Sequence, residues 1–277
     1  MVVIVLGAAG QLGKAIQSIS SHYTVHFNFF DSRQLDISKS EMVDAAFERL
    51  KPDFCINVAA YTAVDKAEIE KDKADLINHI SVKNIALACL KHDTTLLHIS
   101  TDFVFDGEKN SPYLESDQTN PQGQYGISKR NGELEIEHAM TKYFIVRTSW
   151  LYSDFGYNFK KTMLKLAQER ESLNVVNDQI GAPTHAVDLA KALMKILQSE
   201  STNYGIYHYS NEGNTSWFGF AKKIFEYNNL SVILKGIPTS DYPTPAKRPK
   251  YSVLDTAKIK KEFNLTIRSW EKALKEN

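Results

Sequence analysis

The first thirteen residues, MVVIVLGAAGQLG, carry a β-branched apolar run over 2–6 straight into three glycines at 7, 10 and 13, with a helical pattern following. No other stretch constrains the fold as much. A strand that turns into a helix within a few residues needs backbone conformations and close approaches that a side chain obstructs. The helix start also leaves unpaired N–H groups and partial positive charge facing the turn, a setting suited to a pyrophosphate. A glycine triad by itself is weak evidence. Placed between a first strand and a first helix, Gly7, Gly10 and Gly13 predict dinucleotide binding.

The rest of the chain supports that setting. Short apolar runs, TVHFNFF at 24–30, FCINV at 54–58, TLLHIS at 95–100 and YFIVR at 143–147, alternate with helical patterns. Such alternation predicts an α/β fold, a doubly wound parallel sheet of Rossmann type covered by helices on both faces. In SKSEMVDAAFERL, Ser38 followed by Glu41 reads as a capping box. Beyond residue 150 the rhythm loosens into helical stretches at 158–171, 185–198 and 216–227, a strand-like GIYHYS at 205–210 and a turn-rich PTSDYPTPAKRPKYS. A smaller C-terminal substrate domain is expected, interleaved with the first: 1–150 and 174–208 for the cofactor, 151–173 and 209–277 for the substrate.

Charge narrows the partners. The 33 basic residues are matched by 33 acidic ones, so no excess points to nucleic acid or an anionic membrane, and a small molecule is the expected ligand. No apolar run approaches the roughly 18 residues of a membrane span and no basic leader precedes VVIVLG, which makes the cytoplasm the expected location. Cys55 and Cys89 lie in apolar patterns and read as buried free thiols. The eight histidines show no metal-like spacing, so no metal is expected.

Asp31 ends the second strand, where a carboxylate accepts hydrogen bonds from the adenine-ribose hydroxyls, while Arg33 is suited to a 2′-phosphate. Both NADH and NADPH therefore stay open. In HISTDFVFDG, Ser100, Thr101 and Asp102 fall at the carboxyl end of the fourth strand, where open α/β sheets hold ligands.

Tyr125 and Lys129 share one face of a polar helical segment, GQYGISKRNGE. With 13 tyrosines and 26 lysines, about one such spacing arises by chance. The chain has two, the other being Tyr157 and Lys161. Tyr125 lies between the fourth and fifth strands, whereas Tyr157 follows the fifth, outside a crevice expected between strands one and four. Tyr125 is therefore the candidate proton donor, with Lys129 expected to lower its pKa.

At GAAGQLG, LDIS, AAYTAVDKAE, STDFVFDG, the Tyr125 and Lys129 pair, VRTSWLY, NFKKTMLKLAQER, VNDQIGAPT and YPTPAKRPKYS, the chain resembles the extended short-chain dehydrogenase/reductases, and the likeness spans nearly its whole length. The last four blocks are similar to a branch that acts on dTDP-sugars. The resemblance implies NADPH- or NADH-dependent reduction of the C4 carbonyl of dTDP-4-dehydro-L-rhamnose. It implies Tyr125 as proton donor, Lys129 on the nicotinamide ribose, Thr101 on the reacting oxygen and Asp102 on the substrate. Gly10, Gln11 and Leu12 would cradle the pyrophosphate; Asp31, Asp36 and Ile37 would hold the adenosine half, and Ala60, Tyr61 and Thr62 the middle of the cofactor. Trp150 would line the sugar-nucleotide site, and Arg248 in PAKRPK would meet the diphosphate. Phe103 and Gly123 depart from the tyrosine and asparagine common in relatives. The first helix lacks the glutamate of metal-bridged dimers, so a monomer or weak homodimer is expected. Trp217 and Phe218 read as core. Two rival readings are an epimerase or dehydratase on the same fold, and a non-catalytic cofactor-binding regulatory subunit.

Overall fold

The computed structural model describes residues 1–276. The first half alternates strand and helix: β1 (Val2–Leu6), α1 (Gln11–Ser20), β2 (His26–Phe30), α2 (Ser40–Leu50), β3 (Phe54–Asn57), the short α3 (Val64–Ala67) and α4 (Lys71–Asp75), a π-helical turn (Leu76–Ile80), α5 (Ser81–Lys91), β4 (Thr95–Thr101), α6 (Gln124–Ala139) and β5 (Tyr143–Thr148). The second half is broken into smaller pieces: β6 (Leu151–Tyr152), α7 (Phe159–Glu169), β7 (Ser172–Val176), β8 (Ile180–Gly181), β9 (Thr184–His185), α8 (Ala186–Gln198), β10 (Gly205–His208), β11 (Thr215–Ser216), α9 (Trp217–Tyr227), β12 (Ile233–Ile237), α10 (Ala257–Phe263) and α11 (Trp270–Lys275).

Six strands form one sheet in the order β10-β5-β4-β3-β1-β2. Every pairing in it is parallel. That is the expected doubly wound arrangement, and it follows from the apolar strands: Val3, Ile4 and Val5 are fully buried, so both faces of β1 need cover. Ile16 of α1 and Leu193 of α8 share one core with Val3 and Val5, and Phe47 of α2, Ile85 of α5 and Ile136 of α6 share the other with Ile4. The crevice differs from expectation in one respect. β3 lies between β1 and β4, so the chain reverses its winding between β1 and β3, and β4 is one strand further out.

The second lobe is built on the parallel pair of β7 and β12, with Phe220 of α9, Met163 of α7 and Trp270 of α11 in its core. β7 spans the expected division at 173/174 and pairs wholly within this lobe, while Ile259, Phe263 and Ile267 return to the core of the large sheet. The capping box does not form. α2 begins at Ser40 without a side-chain cap, because the Ser38 hydroxyl donates to Asp36 Oδ1 at 2.7 Å instead. Cys55 and Cys89 are buried free thiols. Among the described residues no helix is long and apolar enough to cross a membrane.

Candidate active site

The glycine turn is a packing solution. Gly7 has φ +88°, and a Cβ on it would stand 2.6 Å from the Ala59 nitrogen; one on Gly13 would stand 2.5 Å from the Gly7 oxygen. Ala8 and Gly7 both donate to Phe30 O at 3.0 Å, which draws the turn to the end of β2. Gly10 caps α1 with no side-chain acceptor, so the first-turn amides at Gln11 and Leu12 face the turn uncapped. A pyrophosphate fits that donor set. The Gln11 side chain reaches the other way, donating to Leu151 O at 3.1 Å and accepting from Ser153 and Asn158, so it ties the glycine turn to the second lobe.

At the tip of β2, the two residues weighed as alternatives are one ion pair. Asp31 accepts from the Arg33 amide at 2.9 Å and from its guanidinium at 2.7 Å, which holds the carboxyl below its ordinary range. Asp36 is likewise lowered by the Ser38 hydroxyl and amide, and Ile37 beside it is buried. Ala60, Tyr61 and Thr62 follow β3 into the crevice. The Tyr61 backbone is held by a residue that sequence reasoning missed: Asn78, in the π-helical turn, accepts from the Tyr61 amide at 2.8 Å and donates to Tyr61 O and to Ser128 Oγ. Ser128 in turn donates to Tyr125 O. A π-turn inside a continuous helical pattern leaves no periodicity signal, so Asn78 was not legible.

Tyr125 is the second residue of α6. Gly123, the N-cap, offers no side chain, and Glu68 supplies the acceptor from another segment, taking the Gln124 N–H at 2.8 Å. A Cβ on Gly126 would lie 2.2 Å from Phe103 O, so α6 sits directly on the turn after β4. The Tyr125 ring meets Phe103 edge to face at 5.5 Å. Thr101 and Asp102 are buried there; the Thr101 hydroxyl donates to Asp102 Oδ1 at 3.0 Å and accepts from the Phe103 amide. Asp102 Oδ2 has no partner, and burial pushes the carboxyl up to about 6.

The expected effect of Lys129 on the phenol is not what this geometry gives. Burial pushes Tyr125 up to about 12, partly offset by the Thr101 hydroxyl. Lys129 Nζ is directed at Ile99 O, 2.6 Å away, and at His98 Nε2, 3.2 Å away. Burial lowers this lysine to about 8 against the opposing charge of Glu133. Without the lysine at its side, the phenol responds to its dry surroundings. His98 is a second residue the reading passed over. A histidine in an otherwise apolar strand, like Asn57 at the end of β3, was the available signal. Below Lys129, Glu133 accepts from Arg147 at 2.9 and 2.7 Å, a buried pair that fastens α6 to β5. Tyr157, the rival tyrosine, is 85% exposed, and Lys161 donates to Asp154 O and Gly156 O.

Across the crevice Trp150 sits at φ +45° and stacks on Trp217, ring centroids 3.5 Å apart and planes 6° from parallel. Trp217 and Phe218 pack against the second-lobe core as expected, and Trp217 is also a stacking partner. Gly181 leaves room for the Trp150 indole, since a Cβ there would lie 2.4 Å from Cε2. Arg248 makes a two-pronged pair with Asp65 at 2.8 Å, drawing the late PAKRPK loop onto the segment after β3. Among the described residues no group of three or more His, Cys, Asp or Glu side chains is arranged to hold a metal.

The family model described as RmlD substrate binding domain matches residues 1–277. A dTDP-4-dehydrorhamnose reductase from Aggregatibacter actinomycetemcomitans is 41% identical over 285 residues, covering 98% of this chain and 96% of its own length. Among solved structures, a dTDP-4-dehydrorhamnose reductase from Clostridium acetobutylicum superposes with a TM-score of 0.96 at 42% identity, covering 100% of this chain and 98% of that one. One from Bacillus anthracis, in complex with NADP, gives 0.95 at 42%, covering 99% and 97%. With identity of this order sustained from end to end, the chain belongs to the dTDP-4-dehydrorhamnose reductase family.

Proposed function

We propose that this chain reduces the C4 carbonyl of dTDP-4-dehydro-L-rhamnose with NADPH or NADH, yielding dTDP-L-rhamnose, and that Tyr125 protonates the oxygen. The observation that carries the reading is the full-length family match; the glycine turn after β1 and Thr101 at the end of β4 lie at one edge of the sheet, and α6, which bears Tyr125 and Lys129, packs on the turn after β4. When bound, the nicotinamide supplies the hydride. The protein's own part is to bind, orient and protonate. Gly10 and the α1 amides at Gln11 and Leu12 cradle the pyrophosphate; Asp31, Asp36 and Ile37 hold the adenosine end, and Ala60, Tyr61 and Thr62 the middle. The Thr101 hydroxyl turns from Asp102 Oδ1 to donate to the substrate oxygen, which fixes it beside the phenol. A phenol held near pKa 12 stays protonated at neutral pH, as a proton donor must. Asp102 accepts from a sugar hydroxyl, Trp150 packs on the sugar nucleotide, and Arg248 meets the diphosphate by exchanging part of its pairing with Asp65. The protein acts in the cytoplasm as a monomer or weak homodimer, with the cofactor on the large sheet and the substrate part built on β7 and β12.

The test mixes the purified chain with NADPH or NADH and dTDP-4-dehydrorhamnose, follows reduced-nicotinamide absorbance and identifies the sugar. Turnover is expected with the parent protein, and a kcat lower by roughly 10² or more in Tyr125→Phe with cofactor affinity retained. Tyr157→Phe should leave kcat unchanged. Binding of NADPH without turnover would favour the regulatory-subunit reading.

A further inference from the structure

The residues beneath Lys129 form a chain of hydrogen bonds whose direction is determined. Asn57 Oδ1 accepts from the Ala59 amide at 3.1 Å, which fixes the orientation of the Asn57 amide. Its Nδ2 then faces His98 Nδ1 at 3.1 Å as a donor. The ring nitrogen opposite an N–H donor must accept, so a neutral His98 carries its proton on Nε2. His98 is fully buried, and burial holds it well below the ordinary histidine range, so the ring is neutral. Nε2–H points at Lys129 Nζ, 3.2 Å away, and Lys129 itself donates to Ile99 O at 2.6 Å. An ammonium at that position would set donor against donor. A free amine accepts from Nε2–H and donates to Ile99 O, satisfying both contacts.

We propose that Asn57 and His98 form a tautomer lock that stores Lys129 as a free amine at Ile99 O in the cofactor-free protein at mildly alkaline pH, and that Lys129 takes up a proton when the cofactor draws it toward Tyr125. His98 is thus a positioning residue, and the second half of the inference rests on the reductase reading above. The surroundings are consistent with it. The charged and titratable groups that face Lys129 are His98 from β4 and Glu133 from α6; Glu133 favours an ammonium, but Arg147 of β5 and Arg130 already engage both of its oxygens. The proton that enters comes from solvent, and no bond other than N–H is made. The arrangement keeps the lysine tethered and uncharged in a dry crevice until a partner for its charge arrives.

Nuclear magnetic resonance of the full chain tests both halves. In the first arm, imidazole ¹⁵N shifts of the cofactor-free parent should report His98 protonated on Nε2 between pH 6 and 9; protonation on Nδ1 overturns the lock. In the second, with ¹³C-labelled lysine and the signal lost in Lys129→Ala as assignment, the Lys129 midpoint should rise by about one pH unit or more in His98→Phe, since the opposing N–H is gone. A midpoint that stays or falls overturns the proposal, because burial alone would persist in that variant. The third arm adds NADPH at pH 8 and checks binding by nicotinamide fluorescence. The Lys129 signal should move to its ammonium position. Binding without that movement overturns the uptake step, whereas absence of binding counts against the cofactor site and leaves the first two arms to decide the lock.

Discussion

Gly181→Ala puts the second lobe's contribution to a quantitative test. A methyl at 181 would stand 2.4 Å from Trp150 Cε2 and 2.6 Å from its Nε1. Neither side has room to yield. Gly181 is paired to Thr215 on β11, which leads directly into Trp217, and the Trp217 ring is already stacked on the Trp150 indole at 3.5 Å. The indole must therefore leave its place. Loss of the stack costs about 0.5–1.5 kcal/mol and accommodating the methyl about 1–3 kcal/mol. The combined cost is on the order of 2–4 kcal/mol, which lowers Tm by roughly 5 °C or more in a chain of this size. If the indole lines the sugar-nucleotide site, its displacement also removes about 1–3 kcal/mol of stacking from the substrate, raising KM by roughly 5- to 150-fold while NADPH affinity holds. Thermal unfolding and KM for the dTDP-sugar are measured in Gly181→Ala, Trp150→Ala and the double variant. Once the indole is absent the methyl has space, so the double should cost less than about 1 kcal/mol beyond Trp150→Ala. Losses that add would refute the steric argument, and an unchanged KM would remove Trp150 from the substrate site.

Three further outcomes follow from the same structure. Asp31→Ala releases Arg33 from its pair, and the ratio of kcat/KM values should shift toward NADPH by about 1 kcal/mol or more; no shift, or one toward NADH, removes Asp31 from the ribose site. Asp102 has a folded pKa of about 6 against an ordinary 3.8, so its ionisation opposes folding: stability is fully present below the lower value and is lost as pH rises through the upper one. Asp102→Asn should accordingly be more stable than the parent at pH 8 by about 2–3 kcal/mol in urea titrations, with the gap shrinking between pH 6 and 4, and a gap independent of pH would contradict this. Glu133→Ala strands the Arg147 guanidinium in the core and should cost about 3–5 kcal/mol, whereas Glu133→Leu with Arg147→Met should recover much of it. Equal losses in the single and double variants would show that the pair is not the cause.

The elements that were legible are those with local causes. Apolar β-branched runs bounded by turn residues marked all six strands of the large sheet, and Gly7 and Gly13 marked a turn whose sterics exclude a side chain at either position. Helix boundaries past residue 150 fell within two residues of the expected ones for α7, α8 and α9. The errors came where a local pattern met a competitor. The spacing of Ser38 and Glu41 predicts a cap, and Ser38 instead bonds Asp36, two residues away, because an Asx contact needs less ordering than a helix start.

The alternating fold, the glycine turn and the placement of Tyr125 and Lys129 on one helix are written in the sequence, since each depends on backbone sterics or on a periodicity a few residues long. The tertiary structure decided where the side chains point. Lys129 is bonded to Ile99 O and faces His98, Arg248 is bonded to Asp65 across 183 positions, and Trp150 lies on Trp217. Hydrogen bonds and ring stacks are short-range, so their partners are chosen only once the sheet order and the second lobe have brought distant segments within a few ångströms. For the same reason the protonation preferences of Tyr125, Lys129 and Asp102 belong to the fold: burial, a property of no single segment, is the largest cause of each.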